Sequence, residues 1–298
     1  MSEPLAYKNG QFIPRAQLNM DVHDVGFVAG ATITDYCRTY NGKLFHWPRH
    51  QARFHADCTA CDIPLSVSDS ELSAAAQKLV EHNYKGVELS LITCATPGTL
   101  GYMGTAGERG SRGTVLMHTF PTPLERYKRF FTEGVDLVVV GNYPVYDDGF
   151  TQMLSSKHRS RMYWHLARQH PLSKQYPHAI PAFRTAYGQL DTAVGSVIAV
   201  MDNEIYFGQP GTVFNSITAE LIREAAPHHG DVAIDGSISS SDELLLAGSA
   251  FGLTGIRSVR TKDGLEDYPW PGPVLGEYTE WFRKECNFDF VGEFTHTV

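Results

Sequence analysis

The stretch Ser155-Ser156-Lys157-His158-Arg159-Ser160-Arg161-Met162-Tyr163 lies just past the middle of the chain and decides how the rest is interpreted. An apolar segment and a turn-rich connection precede it, and a helical pattern follows. No other lysine occurs in residues 129–173. A lysine at a loop-to-helix junction can turn its amine inward, and neighbouring cations such as Arg159 and Arg161 favour the neutral amine that serves as a Schiff-base nucleophile. The alternative is a surface lysine in a basic patch.

Composition excludes several classes of function. The 298 residues suit one large or two medium domains; 42% are hydrophobic, 19% are charged, and the net charge is −8. An acidic chain without a concentration of lysine and arginine does not predict nucleic-acid binding. The apolar segments 137–140 and 197–201 are too short to cross a bilayer, and the N-terminus lacks a secretory pattern. Five scattered cysteines indicate a reducing compartment, so we expect a cytoplasmic protein without a membrane partner.

The first half predicts an N-terminal α+β domain over residues 1–120. Asn9-Gly10 and Asn41-Gly42 lie between β-forming residues and predict hairpins. Ser68 and Glu71 predict a capping box at the start of a helix. The remaining expected elements are strands 31–40, 43–47, 87–95 and 113–120, and helices 50–63 and 68–84. We interpret the glycine-rich segment 98–113 as a mobile loop near a binding site, because it lacks the lysine and the helix of a phosphate loop.

The second half predicts an interdomain linker at 121–133 and a C-terminal domain at 134–298 that contains Lys157. Asp202-Asn203 predicts a turn between two apolar strands, 196–201 and 204–207. The other expected elements are strands 134–140 and 183–190, a helix at 159–169, a helix opened by Asn215-Ser216-Ile217-Thr218, and helices 242–246 and 276–286.

Several polar residues are candidates for binding. Arg53, near a helix start, can present its planar guanidinium to a phosphate. The free amides of the helix opened by residues 215–218 suit an anion, and the small-residue turn 247–252 exposes amides and the Ser249 hydroxyl. Asp191 could face a cavity from the edge of its hairpin, although a turn-forming aspartate is the alternative. His228-His229 lacks a third ligand, so no metal is predicted.

Taken in order, these segments resemble the class IV (fold-type IV) pyridoxal-phosphate aminotransferases, which include branched-chain and D-amino-acid aminotransferases and aminodeoxychorismate lyase. The resemblance covers about residues 7–260. It implies an α+β fold, with a small N-terminal α/β domain, a larger C-terminal mixed β-barrel-like domain and the cofactor between them. The segments that carry it are GATITDYCRTYNGKLFHWPRHQARF, the Lys157 stretch, DTAVGSVIAVMDNEIYF, residues 215–218 and GSAFG.

The resemblance implies how pyridoxal 5′-phosphate would be held. The H-x-x-R pattern places His50 and Arg53 in register, and Arg53 would bind the phosphate. Lys157 falls where the family keeps its Schiff-base lysine, which also moves the substrate proton as general base and acid. The amides of Ile217 and Thr218 and the Ser249 turn would complete the phosphate site.

Around the cofactor ring the resemblance is less direct. Asp191 would replace the family's glutamate and keep the pyridine nitrogen protonated. Another register places Thr192 there, which would weaken the electron sink. Tyr163 is the nearest match to a tyrosine that the family places near the ring oxygen, and Ala250 would contact the substrate. Residues 88–94 contain no arginine that could bind a substrate carboxylate.

The implied function is an aminotransferase that exchanges an amino group between an amino acid and a 2-oxo acid, as a homodimer. Three alternatives stay open. The first is a pyruvate-forming lyase of the aminodeoxychorismate type. The second is a cofactor- or metabolite-binding relative without catalysis, which departures such as Ser196 for asparagine and Ala219 for arginine favour. The third is a globular protein in which Lys157 has no chemical role.

Overall fold

The computed structural model of the chain divides into two compact units, which we call unit 1 and unit 2. Unit 1 comprises Met1–Thr122 and Ser156–Ser160, and unit 2 comprises Pro123–Ser155 and Arg161–Val298. Lys157, which we assigned to the C-terminal domain, therefore groups with unit 1. The residues that the structure describes are 3–99, 113–143, 155–185, 188–209, 211–214, 216–232 and 240–296, so most of the glycine-rich segment and Asn215 lie outside them.

Unit 1 contains a six-stranded antiparallel sheet with two long helices packed against it. The strand order is β2-β1-β6-β5-β3-β4, and the core between sheet and helices includes Phe54, Leu72, Leu79 and Leu91. The elements are β1 (Leu5–Lys8), β2 (Gln11–Pro14), a 3-10 turn (Arg15–Gln17), α1 (Val25–Val28), β3 (Ile33–Tyr40), β4 (Lys43–Leu44), α2 (Trp47–Ala60), α3 (Asp69–Asn83), β5 (Leu89–Thr96) and β6 (Thr114–Pro121).

The local signals in unit 1 are largely confirmed. Both Asn-Gly turns join paired strands, and Asn9 and Asn41 have the positive φ angles, 47° and 52°, that such turns require. The capping box of Ser68 and Glu71 is present. The expected strand 43–47 was too long, because α2 begins at Trp47 with a proline in its first turn, where proline is well tolerated.

Unit 2 is built on a nine-stranded mixed sheet with its helices around it. Its elements are α4 (Leu124–Thr132), β7 (Val135–Asn142), α5 (Met162–Gln169), α6 (Pro171–Gln175), β8 (Ile180–Arg184), β9 (Leu190–Thr192), β10 (Ser196–Met201), β11 (Glu204–Gly208), α7 (Ile217–Ala225), β12 (His229–Val232), β13 (Glu243–Gly248), β14 (Gly252–Arg260), β15 (Leu265–Asp267), α8 (Pro273–Cys286) and α9 (Phe290–Thr295). Helix α4 occupies most of the segment 121–133 that we expected to be a linker.

Six strands of unit 2 close into a ring, which confirms the expected β-barrel-like domain. The ring runs β10-β13-β14-β7-β8-β9 and returns to β10 through the pair Asp191 and Ser196. The β7 strand runs parallel to both β14 and β8, whereas the other pairs in the ring are antiparallel. Closure at Asp191 places this residue at the seam of the barrel.

Three expectations for unit 2 were wrong. The helix expected at 242–246 is instead part of β13, which spans Glu243–Gly248 with all six residues buried. Buried strands and short buried helices both appear as continuous apolar runs, so periodicity does not separate them. The expected strand 183–190 is two antiparallel strands, β8 and β9, and the helix expected from 159 begins at Met162. The hairpin at Asp202-Asn203 is confirmed, with both residues at positive φ.

None of the helices in the described part of the chain combines the length and the apolar character that crossing a bilayer requires.

Candidate active site

The carboxylate of Asp35 is the centre of a buried polar cluster in unit 1. Asp35 is the third residue of β3 and is 1% exposed. Its Oδ1 lies 2.6 Å from His50 Nδ1, and its Oδ2 accepts hydrogen bonds from Arg53 through Nε, at 3.1 Å, and Nη2. His50 and Arg53 are three residues apart on α2 and therefore share one face of the helix. The H-x-x-R pattern thus brings both side chains to one carboxylate.

Neighbouring charges fix the ionisation of this cluster. Burial opposes the ionisation of Asp35, but Arg53, His50 and Lys157 together hold its pKa well below the ordinary value. Burial lowers the pKa of His50, and the attraction of Asp35 only partly offsets this. His50 is therefore a neutral imidazole near pH 7, and the 2.6 Å contact assigns its Nδ1–H as the donor to Asp35. The buried ion pair is formed by Asp35 and Arg53.

Replacing Asp35 with asparagine should destabilise the protein. Loss of one partner leaves the charge of Arg53 buried, which lowers the free energy of unfolding by about 3–5 kcal/mol. Because the pKa of Asp35 is lower in the folded than in the unfolded state, its stabilising effect is complete above about pH 4 and is lost as the pH falls toward the folded pKa. Urea unfolding should therefore show a smaller difference between wild type and D35N at about pH 3 than at about pH 7.

The control for this prediction is Asp69→Asn. Asp69 is also an aspartate of unit 1 that faces a histidine, but its side chain is 59% exposed. We expect D69N to change the free energy of unfolding by less than about 0.5 kcal/mol at either pH. Equal losses in D35N and D69N would contradict the assignment of a buried ion pair.

Lys157 lies on a short extended segment beside the start of β3. The Thr34 N–H donates to the Lys157 carbonyl at 2.8 Å, and the Arg159 N–H donates to the Thr32 carbonyl at 3.0 Å. On the other side, the Lys157 N–H donates to Asp57 Oδ2 on α2 at 2.9 Å. Both peptide groups of Lys157 are therefore held, one by a strand and one by a helix.

The charge of Lys157 reaches the Asp35 cluster, since it contributes to lowering the pKa of both Asp35 and His50. Unit 1 thus brings together three residues that the sequence singled out: Lys157, His50 and Arg53. The expected setting of Lys157 was a loop-to-helix junction; the structure adds pairing to β3 before the helix begins at Met162.

Asp191 is the corresponding buried carboxylate of unit 2, with 8% exposure. Its Oδ2 accepts the Tyr143 hydroxyl at 2.6 Å, and its Oδ1 accepts the Thr192 N–H at 2.8 Å. Burial and the charge of Asp191 raise the pKa of Tyr143 far above its ordinary value, so the phenol stays protonated and acts as the donor. Tyr163 packs edge-on against Tyr143, with ring centroids 5.6 Å apart, and burial raises its pKa as well.

The Thr192 hydroxyl is engaged in the turn that follows β9. It donates to the Gly195 carbonyl at 2.6 Å and accepts the N–H groups of Gly195, at 3.1 Å, and Val194, at 3.3 Å. Of the two residues that the sequence left open for the ring nitrogen, Asp191 therefore carries the buried acceptor, whereas Thr192 caps a turn.

Two segments expected to bind phosphate adjoin each other in unit 2. Ser216 caps α7, whose first two residues are Ile217 and Thr218, and its hydroxyl donates to the Ala247 carbonyl at 3.1 Å. Ala247 is the second-last residue of β13, and the hairpin turn that follows β13 contains the half-buried Ser249. The helix N-terminus and the Ser249 turn thus lie side by side.

Ser196 links these segments to Asp191. In the sheet it pairs with Asp191 on one side and Ala247 on the other, and its hydroxyl oxygen accepts the Ser216 N–H at 2.8 Å. Asp191, the α7 N-terminus and the Ser249 turn therefore lie at one end of the barrel strands. Ala250, in the same turn, is 8% exposed.

A cleft of about 510 Å³ in unit 2 lies away from this end of the barrel. Its lining includes Arg129, Arg257 and Asp136, the last at the start of β7. Asp191 lies near the opposite end of β7, because it pairs with Phe183, and Phe183 pairs with Gly141 close to the end of that strand. Cavity size therefore does not single out the end of the barrel that carries the candidate residues.

Sequence analysis missed three partners of the candidate residues: Asp35 and Asp57 in unit 1, and Tyr143 in unit 2. A signal existed for Asp35, because an aspartate inside the β-forming run ITDYCRTY must be buried with a partner if the strand is central. No signal existed for Asp57, whose backbone partner is 100 residues away, or for Tyr143 at the end of an apolar strand.

Comparison with known sequences gives a family match. The sequence model of the family described as Amino-transferase class IV matches residues 32–259. The D-alanine aminotransferase of Bacillus licheniformis is 24% identical over 248 residues, which are 82% of either chain. The D-alanine aminotransferase of Staphylococcus aureus is 35% identical over 77 residues, which are 26% of this chain and only 27% of that relative.

Solved structures show the same fold. The branched-chain amino acid aminotransferase of Escherichia coli superposes with a TM-score of 0.82 at 18% identity, over 95% of this chain and 94% of that one. The 4-amino-4-deoxychorismate lyase of Pseudomonas aeruginosa superposes with a TM-score of 0.74 at 20% identity, over 95% of this chain and 100% of that one. The expected fold-type IV architecture is confirmed.

Proposed function

The chain belongs to the class IV aminotransferase family, and we propose that it is a pyridoxal-phosphate-dependent enzyme that transfers an amino group between an amino acid and a 2-oxo acid. The observation that carries this proposal is the setting of Lys157. Backbone hydrogen bonds hold it on both sides, and its charge lies within range of the buried cluster of Asp35, His50 and Arg53.

The residues of the two units fit pyridoxal 5′-phosphate, the cofactor of the family. The buried Asp191 carboxylate, supported by the Tyr143 hydroxyl, suits a protonated ring nitrogen. The Arg53 guanidinium, the first amides of α7 and the Ser249 turn suit a phosphate. Lys157 offers the amine. When bound, the cofactor supplies an electron sink for the negative charge that develops at the substrate Cα.

The protein's own groups have distinct tasks in this proposal. Nζ of Lys157 would hold the cofactor through its aldehyde carbon. Once free, it would take the proton from the substrate Cα as general base and deliver it, as general acid, to the cofactor carbon that takes over the amino group. Asp191 keeps the proton on the ring nitrogen, and Asp35 orients Arg53 toward its ligand. Thr192 holds the turn beside Asp191, Tyr163 supports Tyr143, and Ala250 contacts the substrate.

The proposed phosphate ligands differ in kind between the units: unit 1 offers the cation of Arg53, and unit 2 offers the neutral donors of Ile217, Thr218 and Ser249. The helix amides and dipole favour an anion without adding a charge that would need its own partner. Arg53 is already oriented by Asp35, so little side-chain entropy is lost when it binds.

The experiment that tests the proposal is an absorbance titration of purified protein with pyridoxal 5′-phosphate, followed by candidate amino donors. The names of the relatives make D-alanine and the branched-chain amino acids the first donors. We expect a visible band that a suitable donor bleaches and a 2-oxo acid restores. A band that no amine bleaches would contradict transamination, and pyruvate formed from aminodeoxychorismate without an amino acceptor would indicate the lyase.

The proposal includes a cytoplasmic homodimer, as expected for the family. All five cysteines are free, which supports a reducing compartment. Sedimentation velocity should give a mass near twice 33.1 kDa, and a monomer at micromolar concentration would contradict this part of the proposal.

A further inference from the structure

We infer that Asp57 is a positioning residue for Lys157, holding the lysine's backbone so that its amine stays within range of the Asp35 cluster. The inference rests on the proposed function, because it concerns how the proposed Schiff-base lysine is held. Asp57 itself would contact neither cofactor nor substrate; it acts through the peptide group of Lys157.

The contact joins distant parts of the chain. Asp57 lies on α2 one turn after Arg53, so both residues face the same side of the helix. It is 9% exposed, and its Oδ2 accepts the Lys157 N–H at 2.9 Å. The Ser156 side chain also hydrogen-bonds to this carboxylate. One carboxylate thus holds two consecutive residues of the segment that bears the lysine.

A purely structural role would not require a carboxylate here. Burial raises the pKa of Asp57, and the Lys157 hydrogen bond and the charge of Arg53 only partly offset the cost of desolvation. A neutral acceptor would satisfy the same N–H with less desolvation. Hydrogen bonds to an ionised acceptor are shorter and stronger than neutral ones, so the charged group restrains Lys157 more tightly.

The second anchor makes this restraint effective. Because the Thr34 N–H holds the Lys157 carbonyl at 2.8 Å, the residue is clamped between α2 and β3, and both peptide groups beside its Cα are fixed. Without Asp57 the strand contact alone would remain, and Lys157 could pivot about it. A displacement of about 1 Å in a catalytic group can lower a rate about 10²-fold.

The test compares Asp57→Ala and Asp57→Asn with wild type in the presence of pyridoxal 5′-phosphate. Two quantities are measured: kcat and KM for the donor found above, and the fraction of Lys157 peptide that carries cofactor after borohydride reduction. We expect D57A to lower kcat about 10²-fold and to slow trapping, with KM within about threefold of wild type. D57N should keep most of kcat, within about fivefold of wild type, because its amide oxygen still accepts the hydrogen bond and only the strengthening by the charge is lost.

Asp24→Ala is the matched control. Asp24 is a buried aspartate of unit 1 that also accepts one backbone N–H, from Gly26 at 2.8 Å, and one hydroxyl, from Thr114 at 2.8 Å. D24A should lower the melting temperature, as D57A does, but leave kcat and trapping as in wild type. Equal losses of kcat in D24A and D57A would overturn the inference, since they would show only general destabilisation.

The measurements distinguish a failure of the inference from a failure of the proposed function. If D57A has the kcat of wild type and traps cofactor as fast as wild type, the inference alone is overturned. Wild-type protein that traps no cofactor at Lys157 would overturn the proposed function and the inference with it. If D57A does not fold, Asp57→Gln takes its place, because it carries the same amide as D57N one methylene further out. We expect D57Q to lose kcat while D57N retains it, and equal kcat in the two would overturn the inference.

Discussion

Lys157→Ala should reduce kcat for transamination by at least about 10³-fold. The substitution removes the amine that would bind the cofactor and also the general base that moves the substrate proton, and general acid–base catalysis alone contributes about 10²–10⁴-fold. We expect K157A to bind pyridoxal 5′-phosphate more weakly, without the visible band of wild type. Single-turnover bleaching of that band by the amino donor measures the loss directly.

Two further lysine variants separate chemistry from charge. Lys157→Arg keeps a positive charge near Asp35 but cannot act as nucleophile or base, because the guanidinium stays protonated. K157R should therefore be as inactive as K157A while keeping more of the wild-type stability. Lys174→Ala, at an exposed position on α6, should be fully active. If K157A retained more than about a tenth of the wild-type kcat, a central role for this lysine would be contradicted, because general acid–base catalysis alone should contribute more than that.

Asp191→Asn should lower kcat by about 10²–10³-fold, the range seen when one preorganised electrostatic contact is removed from an active site. Asparagine keeps the size of the side chain and can still accept the Tyr143 hydroxyl, which bonds to Asp191 at 2.6 Å. It lacks the negative charge that would keep a ring nitrogen protonated, so the loss should appear in kcat more than in KM. The absorbance of the bound cofactor should change as well, because that spectrum depends on the protonation of the ring.

Thr192→Val is the matched control for Asp191. It removes the hydroxyl that bonds to Gly195 at 2.6 Å and 3.1 Å and keeps the shape of the side chain. We expect a loss of about 1 kcal/mol in free energy of unfolding for the lost hydrogen bonds and a kcat close to that of wild type. A larger loss of kcat in T192V than in D191N would assign the ring contact to Thr192.

Local structure was the most predictable level. The turns at Asn9, Asn41 and Asp202 and the capping box at Ser68 follow from residues that are neighbours in sequence, and the structure confirms them. The errors occurred where tertiary context selects between local forms. The run Glu243–Gly248 pairs with two strands of the barrel, and this pairing outweighs the helix preference of its leucines.

The candidate functional residues also differ in how well the sequence predicts them. The lysine and the H-x-x-R pair were predicted from the sequence, because the ordered motifs of the family and a fixed spacing on one helix need no knowledge of distant contacts. Only the tertiary structure showed what holds them. Asp35 meets His50 across 15 residues, Tyr143 meets Asp191 across 48, and Asp57 meets Lys157 across 100. Partners so far apart in sequence are chosen by which surfaces the folded units bury together, because burial makes an unpaired charge costly and so requires each carboxylate to have its donors.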